Sequence, residues 1–168
     1  MRTLLFIVTM MFLQLGVAGS EHAPASSKQF EDLKQLLGIW QGDVEMGENK
    51  VPMTVVYELT SGGSVITETL MAGTPQEMIS VYHKEGDSVA MTHYCTMGNQ
   101  PHMKLKKADG NTLAFEMREP VGIVSKNEAH MHAVTLTMKD KNTLQQDWVF
   151  YEGGKAAKTS TFLLKKQN

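Results

Sequence analysis

The sequence predicts an all-β protein, a single closed antiparallel β-barrel of about ten strands with one short N-terminal helix. Segments rich in Val, Ile, Thr, Tyr and Phe alternate with turn signals at near-even spacing, as at residues 61–63, 85–87 and 109–111. The connections are short, and a parallel crossover would need roughly a dozen residues or more, so neighbouring strands must be antiparallel. Closure into a barrel removes the two exposed edges that an open sheet of this size would have.

The first twenty residues have the pattern of a removable secretory signal peptide. Arg2 supplies a positive charge, residues 4–17 are mostly apolar, and small residues at 18–20 offer a cleavage site before Glu21. This apolar run is shorter than the roughly 20 residues that span a membrane. We therefore expect an exported protein, periplasmic or secreted, with no stable membrane insertion of the mature chain. Residues 21–27 would form a flexible leader and residues 28–168 the barrel domain.

Composition narrows the possible classes of function. The chain carries 16 basic and 18 acidic residues, and neither sign forms a block. A nucleic-acid surface would need clustered Lys and Arg, so we expect no nucleic-acid partner. The one cysteine, Cys95, excludes an internal disulfide. Stability must then come from the core and the hydrogen-bonded sheet.

One amphipathic helix precedes the strands. Ser26 and Gln29 have the spacing of a capping box, and Gly38 stands where a C-terminal cap belongs. Its apolar residues share one helical face: Phe30, Leu33, Leu36 and Leu37. The longest connection between strands, 119–128, is expected to be a mobile flap. The strands are expected near residues 39–46, 52–60, 64–71, 77–84, 88–95, 102–107, 112–118, 129–138, 143–151 and 155–164.

Alternation along the strands indicates which side chains face the interior. Apolar residues share one face of the second and seventh strands: Met53, Val55, Tyr57 and Leu59 on the former, and Leu113, Phe115 and Met117 on the latter. Polar residues on such faces need a partner, because an inward polar group without one costs free energy. They are Glu68, His93, Cys95, His130, His132 and Gln146. Each of these side chains can contact a ligand, or it can be a core residue whose polar atoms are hydrogen-bonded within the protein. For Glu68, the partners within the protein would be backbone groups or Arg118.

Several segments resemble known families. Residues 38–42, Gly-Ile-Trp-Gln-Gly, resemble the G-x-W opening of lipocalins and the G-x-W-x-G of nitrobindin-like haem-binding barrels. Residues 57–64, 68–70, 77–78, 81–83, 92–95, 97–101 and 130–132, with the strand around Trp148, resemble the exported bacterial family catalogued as domain of unknown function 1579. That resemblance covers most of residues 38–164. It implies a lipocalin-like, or calycin, barrel and no established activity.

The nitrobindin-like resemblance implies haem held by a histidine late in the chain. The last two predicted strands contain no histidine, so His130 or His132 would have to substitute. We therefore expect no cofactor. Soft-metal binding is a further alternative, through imidazole, thiolate and thioether groups that suit copper. Its candidate ligands are His93, Cys95, Met97, His102, Met103, His130, Met131 and His132.

The function that we expect is binding of a small, largely apolar molecule in the lumen, without enzymatic activity. Candidate ligand contacts are Tyr57, Glu68, His93, Cys95, Phe115, His132 and Trp148, with Asn99 and Gln100 at the rim. One alternative is a lumenal acid–base enzyme that uses Glu68 and His93. Another is a barrel filled by its own side chains. The sequence leaves the identity of the ligand and the oligomeric state open.

Overall fold

The computed structural model describes residues 27–46 and 49–168, which form one closed antiparallel β-barrel, as predicted. The predicted signal peptide and most of the predicted leader lie outside the described residues. All ten predicted strands are present, each within three residues of its expected bounds. The elements are α1 (Lys28–Lys34), β1 (Gly38–Met46), β2 (Asn49–Thr60), a 3₁₀ turn (Ser61–Gly63), β3 (Val65–Leu70), β4 (Met78–Glu85), β5 (Ser88–Tyr94), β6 (His102–Asp109), β7 (Thr112–Glu116), β8 (His130–Asp140), β9 (Thr143–Glu152) and β10 (Lys155–Lys166).

The barrel has up-and-down topology. Each strand pairs with its neighbours in the chain, and β10 pairs with β1 to close the sheet. Connections of two residues join β4 to β5, β6 to β7, β8 to β9 and β9 to β10. Such hairpins require positive φ, which Gly86 and Gly110 supply at 58° and 56°. The turns thereby fix the register that directs alternate side chains inward.

Helix α1 covers the end of the barrel at which β1 begins. Its N-cap is Ser27, whose Oγ accepts from the Phe30 amide at 3.3 Å, so the predicted cap at Ser26 is wrong by one residue. Phe30 and Leu33 are buried against the barrel. The indole Nε1 of Trp40 donates to the carbonyl of Leu36 at 2.6 Å, which ties β1 to the chain that leaves the helix.

The inner faces of the strands hold the core, largely as alternation predicts. The buried apolar cluster runs from Phe30 in α1 to Leu164 in β10 and includes both tryptophans. Leu59 is an exception, because its side chain is 42% exposed near the end of β2 rather than lumenal. Within the described residues, no helix has the length and apolar character needed to cross a bilayer.

The barrel is closed by only three residue pairs between β1 and β10, which join residues 40–42 to residues 164–166. At Gly42 the two backbones come so close that a Cβ would collide with the carbonyl oxygen of Leu163. Beyond Gly42 a groove of about 550 Å³ lies between the strands, lined by Asp43, Val44, Lys50 and residues 158–163. The closing contact therefore depends on glycine at position 42.

We expect Gly42→Ala to lower the free energy of unfolding by about 1–3 kcal/mol, because the added methyl group must push β10 away from β1. Urea unfolding followed by tryptophan fluorescence measures the loss. The matched control is Gln41→Ala, a change at the preceding, exposed side chain of the same strand. Equal stability of the two variants would show that the close approach at Gly42 does not limit closure.

Candidate functional site

A buried polar cluster lies in the lumen around Glu68 of β3. Its Oε1 accepts hydrogen bonds from Tyr57 Oη of β2 at 2.5 Å and from Gln146 Nε2 of β9 at 2.7 Å. Its Oε2 accepts from Tyr82 Oη of β4 at 2.9 Å. All four side chains are at most 1% exposed. Side chains therefore hold Glu68, and the predicted alternatives of backbone groups or the exposed Arg118 are wrong.

Gln146 links this cluster across the barrel. Its Nε2 also donates to Tyr57 Oη at 2.7 Å, and its Oε1 accepts from Trp148 Nε1 at 3.0 Å. Both polar atoms of the amide are thus used, as a fully connected buried network requires. We call Tyr57, Glu68, Tyr82, Gln146 and Trp148 the Glu68 cluster.

Burial is the main cause of the pKa shifts in the Glu68 cluster. Burial raises the pKa of the Glu68 carboxyl above its ordinary value, while hydrogen bonds from Tyr57, Tyr82 and neighbouring polar groups lower it. Burial also raises the pKa of both phenols well above the ordinary value, and the nearby Glu68 charge adds to the effect. Both tyrosines therefore keep their protons and act as donors.

His93 of β5 lies beside the cluster. Its Nδ1 is 3.0 Å from Ser80 Oγ, and its ring centroid is 4.7 Å from that of Trp148. Its Nε2 is buried and has no hydrogen-bond partner among the described residues. Burial lowers the pKa of His93 to about 4, so the ring is neutral near pH 7.

This part of the lumen is filled by the protein's own side chains. Glu68, Ser80 and Gln146 are 0% exposed, and His93 is 1% exposed. A side chain without accessible surface touches no space as wide as a water molecule. A substrate for the predicted acid–base pair would have to displace packed side chains. The predicted apolar walls, Tyr57, Phe115 and Trp148, are equally buried.

Three other predicted ligand contacts, Cys95, Gln100 and Asn99, have contact partners within the protein. Cys95 Sγ lies 4.0 Å from Met78 Sδ and is half-buried. The exposed Gln100 donates from Nε2 to the carbonyl of Gly98. Asn99 is buried, and its Nδ2 donates to Glu128 Oε1 at 2.9 Å and to the carbonyl of Ala129 at 2.8 Å. Asn99 thus joins the β5–β6 connection to the start of β8.

The segment between β7 and β8, predicted to be a mobile flap, is anchored to the β5–β6 connection. The amides of Gln100 and His102 donate to the carbonyls of Gly122 and Val121 at 2.9 and 3.1 Å. Gly122 has φ of 81°, and a Cβ there would collide with the carbonyl of Gln100. Glycine is therefore needed for this close approach.

A pocket of about 330 Å³ opens beside this segment, at the end of the barrel opposite α1. We call it the mouth pocket. Of the nine predicted ligand contacts, His132 alone lines it. Its lining residues are Glu116, Met117, Arg118, Glu119, Pro120, Lys126, His130, His132, Tyr151 and Gly154.

Two histidines of β8 form a directed hydrogen-bond chain at the mouth pocket. His130 Nδ1 is 2.6 Å from the carbonyl oxygen of Glu128, which can only accept, so Nδ1 carries the proton. In neutral His130, Nε2 is then the acceptor, and His132 Nδ1 donates to it across 3.2 Å. The consequence is that Nε2 of neutral His132 carries a lone pair.

His132 is held in place by Tyr151 of β9. The two rings are parallel to within 11°, with centroids 3.7 Å apart. Burial lowers the pKa of His132, and the nearby His130 adds to the lowering. A ring with a lowered pKa is mostly unprotonated near neutral pH, which keeps its lone pair available.

Two cations at the mouth pocket lack a counter-ion. Arg118 and Lys126 form no hydrogen bond or ion pair with any described residue, and both are exposed. Lys106 instead pairs with Glu116. The pocket therefore combines a hydrogen-bond acceptor with two positive charges that a bound anionic group could neutralise.

The histidines and the cysteine among the predicted soft-metal ligands form no metal-binding group in the described part of the chain. His93 bonds to Ser80, His130 to His132, and Cys95 contacts a methionine. His102 is 3.7 Å from a carboxylate oxygen of Glu85 in β4. Across residues 27–46 and 49–168, no three His, Cys, Asp or Glu side chains are grouped to hold a metal ion.

The sequence of this protein matches no known family closely enough to classify it, so its fold and its candidate site are the basis for the proposals below. A scan against protein-family models finds no match, and a search of curated proteins finds no significant match. The resemblance to domain of unknown function 1579 stays a prediction. The described residues form a closed ten-stranded antiparallel barrel with one buried, hydrogen-bonded carboxylate, Glu68, and a polar pocket at one end.

Proposed function

We propose that this protein is a lipocalin-like carrier or sensor that binds a small molecule in the mouth pocket. The observation that carries the proposal is the unpaired His132 Nε2 beside two unpaired cations in a cavity of about 330 Å³. Small-molecule sites have volumes of about 300–1,000 Å³ and place a few polar groups among apolar walls. Met117, Pro120 and Tyr151 supply those walls.

The position of this site differs from the lumenal position expected from sequence. The side chains of the Glu68 cluster are at most 2% exposed, and their role in the proposal is to hold the barrel walls together beneath the site. A largely apolar ligand remains part of the proposal, with one polar group directed at His132. Export to the periplasm or beyond is also proposed, on the signal-peptide pattern of residues 1–20.

Titration with 8-anilinonaphthalene-1-sulfonate, an aromatic anion, tests the proposal. We expect saturable 1:1 binding that Tyr151→Ala weakens about tenfold, equivalent to about 1.4 kcal/mol, because the change removes a wall and the support of His132. The control is Tyr94→Ala, which removes an exposed tyrosine from β5. Native mass spectrometry of protein purified from its own host supplies a second readout. Absence of saturable binding, or equal affinity of the two variants, would remove the mouth pocket as the site.

A further inference from the structure

We infer that the mouth pocket selects small hydroxy-carboxylates, which present a protonated hydroxyl group to His132 Nε2 and a separate carboxylate to Arg118 and Lys126. This inference rests on the proposed function and names the ligand class of the same site. It is carried by the direction of the histidine chain and by the two unpaired cations in the same pocket.

The direction of the histidine chain decides which ligand group can lie against His132. The carbonyl of Glu128 fixes the proton on His130 Nδ1, and this in turn fixes the proton on His132 Nδ1. A ligand group at His132 Nε2 must therefore donate a hydrogen bond. A hydroxyl group does so, whereas an ether or a carboxylate would bring one acceptor against another.

The surroundings of His132 keep its ring neutral, so the ligand hydroxyl keeps its proton. Burial lowers the pKa of His132, and the nearby His130 and Lys106 lower it further, although Glu116 acts in the opposite sense. The effect of Glu116 is limited because its carboxylate is paired with Lys106. A neutral imidazole accepts a hydrogen bond from the hydroxyl group without taking its proton.

The negative charge of the ligand is bound by different residues. Arg118 and Lys126 line the same pocket and form no ion pair with a described residue. A guanidinium group matches a carboxylate with two parallel hydrogen bonds. Glu119 is the one other acid that lines the pocket besides the paired Glu116. Two cations against Glu119 leave a net positive charge, which one carboxylate neutralises.

The size of the mouth pocket limits the frame that joins the two ligand groups. Its volume of about 330 Å³ is near the lower end of the range of about 300–1,000 Å³ found for small-molecule sites. Met117, Pro120 and Tyr151 offer apolar contacts to such a frame. A single aromatic ring that carries both groups therefore suits the pocket, and hydroxybenzoates are the simplest probes of this class.

The first test measures the contribution of the ligand hydroxyl by isothermal titration calorimetry near pH 7. We expect 4-hydroxybenzoate to bind about tenfold or more tightly than benzoate or 4-methoxybenzoate, neither of which has a hydroxyl proton to donate. His132→Phe keeps a ring against Tyr151 but lacks Nε2, and should lose this preference. The matched control is His83→Phe, a change at a half-buried histidine of β4 outside the mouth pocket, which should keep it.

The second test measures the contribution of the carboxylate. The neutral analogue 4-hydroxybenzamide should bind about tenfold or more weakly than 4-hydroxybenzoate. The double variant Arg118→Gln with Lys126→Gln should lose this preference, because it removes both unpaired cations. Its control is Lys139→Gln with Lys141→Gln, which removes two exposed lysines that do not line the mouth pocket and should keep the preference.

The comparisons between ligands use the unchanged protein and so do not depend on the folding of any variant. Absence of 4-hydroxybenzoate binding, or equal binding of benzoate or of 4-hydroxybenzamide, would overturn the inference. A hydroxyl preference that survives in His132→Phe would also overturn it, as would a carboxylate preference that survives loss of both cations. Each of these results leaves the proposed function standing if the sulfonate probe binds. Failure of the sulfonate probe as well would remove both.

Discussion

Glu68→Ala is expected to lower the free energy of unfolding by about 3 kcal/mol or more. The carboxylate is the acceptor for two buried tyrosine hydroxyls and one buried amide, and alanine leaves these donors without it. A buried donor that loses its acceptor costs about 1–3 kcal/mol, and the missing side chain leaves a cavity. Urea unfolding monitored by tryptophan fluorescence, with Trp148 in the cluster as a reporter, measures the loss.

The control for this prediction is Glu58→Ala, which removes an exposed carboxylate from the opposite face of β2. Glu68→Gln adds a second test, because one carbonyl oxygen remains to accept and the loss should be smaller. Combining Tyr82→Phe with Glu68→Ala should cost less than the sum of the two single changes, since both remove the same hydrogen bond. If Glu68→Ala matched Glu58→Ala, the carboxylate would not stabilise the barrel.

The variant Glu68→Gln also separates the effect of the Glu68 charge on stability from the effect of its hydrogen bonds. Burial raises the pKa of Glu68, so the folded state holds this proton more tightly than the unfolded state. The stability that Glu68 contributes is therefore greatest at low pH and declines as pH rises from the ordinary value near 4.5 towards the folded value. Glu68→Gln has no titrating group at this position and should lose that part of the pH dependence.

Most of the fold could be predicted from the sequence because its signals are local. Two-residue turns such as those at Gly86 and Gly110 depend on the backbone freedom of single residues. Strand alternation likewise placed Glu68 and Gln146 inward, and both are buried. The prediction that Leu59 faces the lumen was wrong, because alternation shows which face of a strand a residue is on but not where the barrel ends.

The partners of those residues could not be predicted, because they depend on the stagger of strands across the barrel. Tyr57 and Gln146 are 89 residues apart and lie on strands that do not pair, so no periodicity relates them. Alternation in β4 could have predicted two further polar residues of the interior. Ser80 and Tyr82 lie on the same face of that strand as Met78, and both are buried. The mouth pocket was harder to predict, because Arg118 and Lys126 lie in an irregular connection without a repeating pattern.

Acidification is expected to remove about 3 kcal/mol of stability through His93. Burial sets its folded pKa at about 4, below the ordinary value of 6.5, so the folded state binds this proton less tightly than the unfolded state. The stability is fully present above pH 6.5 and is lost as pH falls from there to about 4. Glu68 acts in the opposite sense at pH values above its ordinary pKa of 4.5, which makes a variant at His93 necessary to isolate the effect.

His93→Phe keeps an aromatic ring beside Trp148 and removes the titrating nitrogen, together with the contact to Ser80. Its unfolding free energy near pH 7 should be lower than that of the unchanged protein, because Ser80 loses a partner. The difference between the two should shrink, and then reverse, as pH falls towards 4, since the variant has no buried imidazole to protonate. Urea unfolding at a series of pH values measures this difference, and His83→Phe controls for loss of a histidine elsewhere. A constant difference across the series would show that His93 does not resist protonation in the folded barrel.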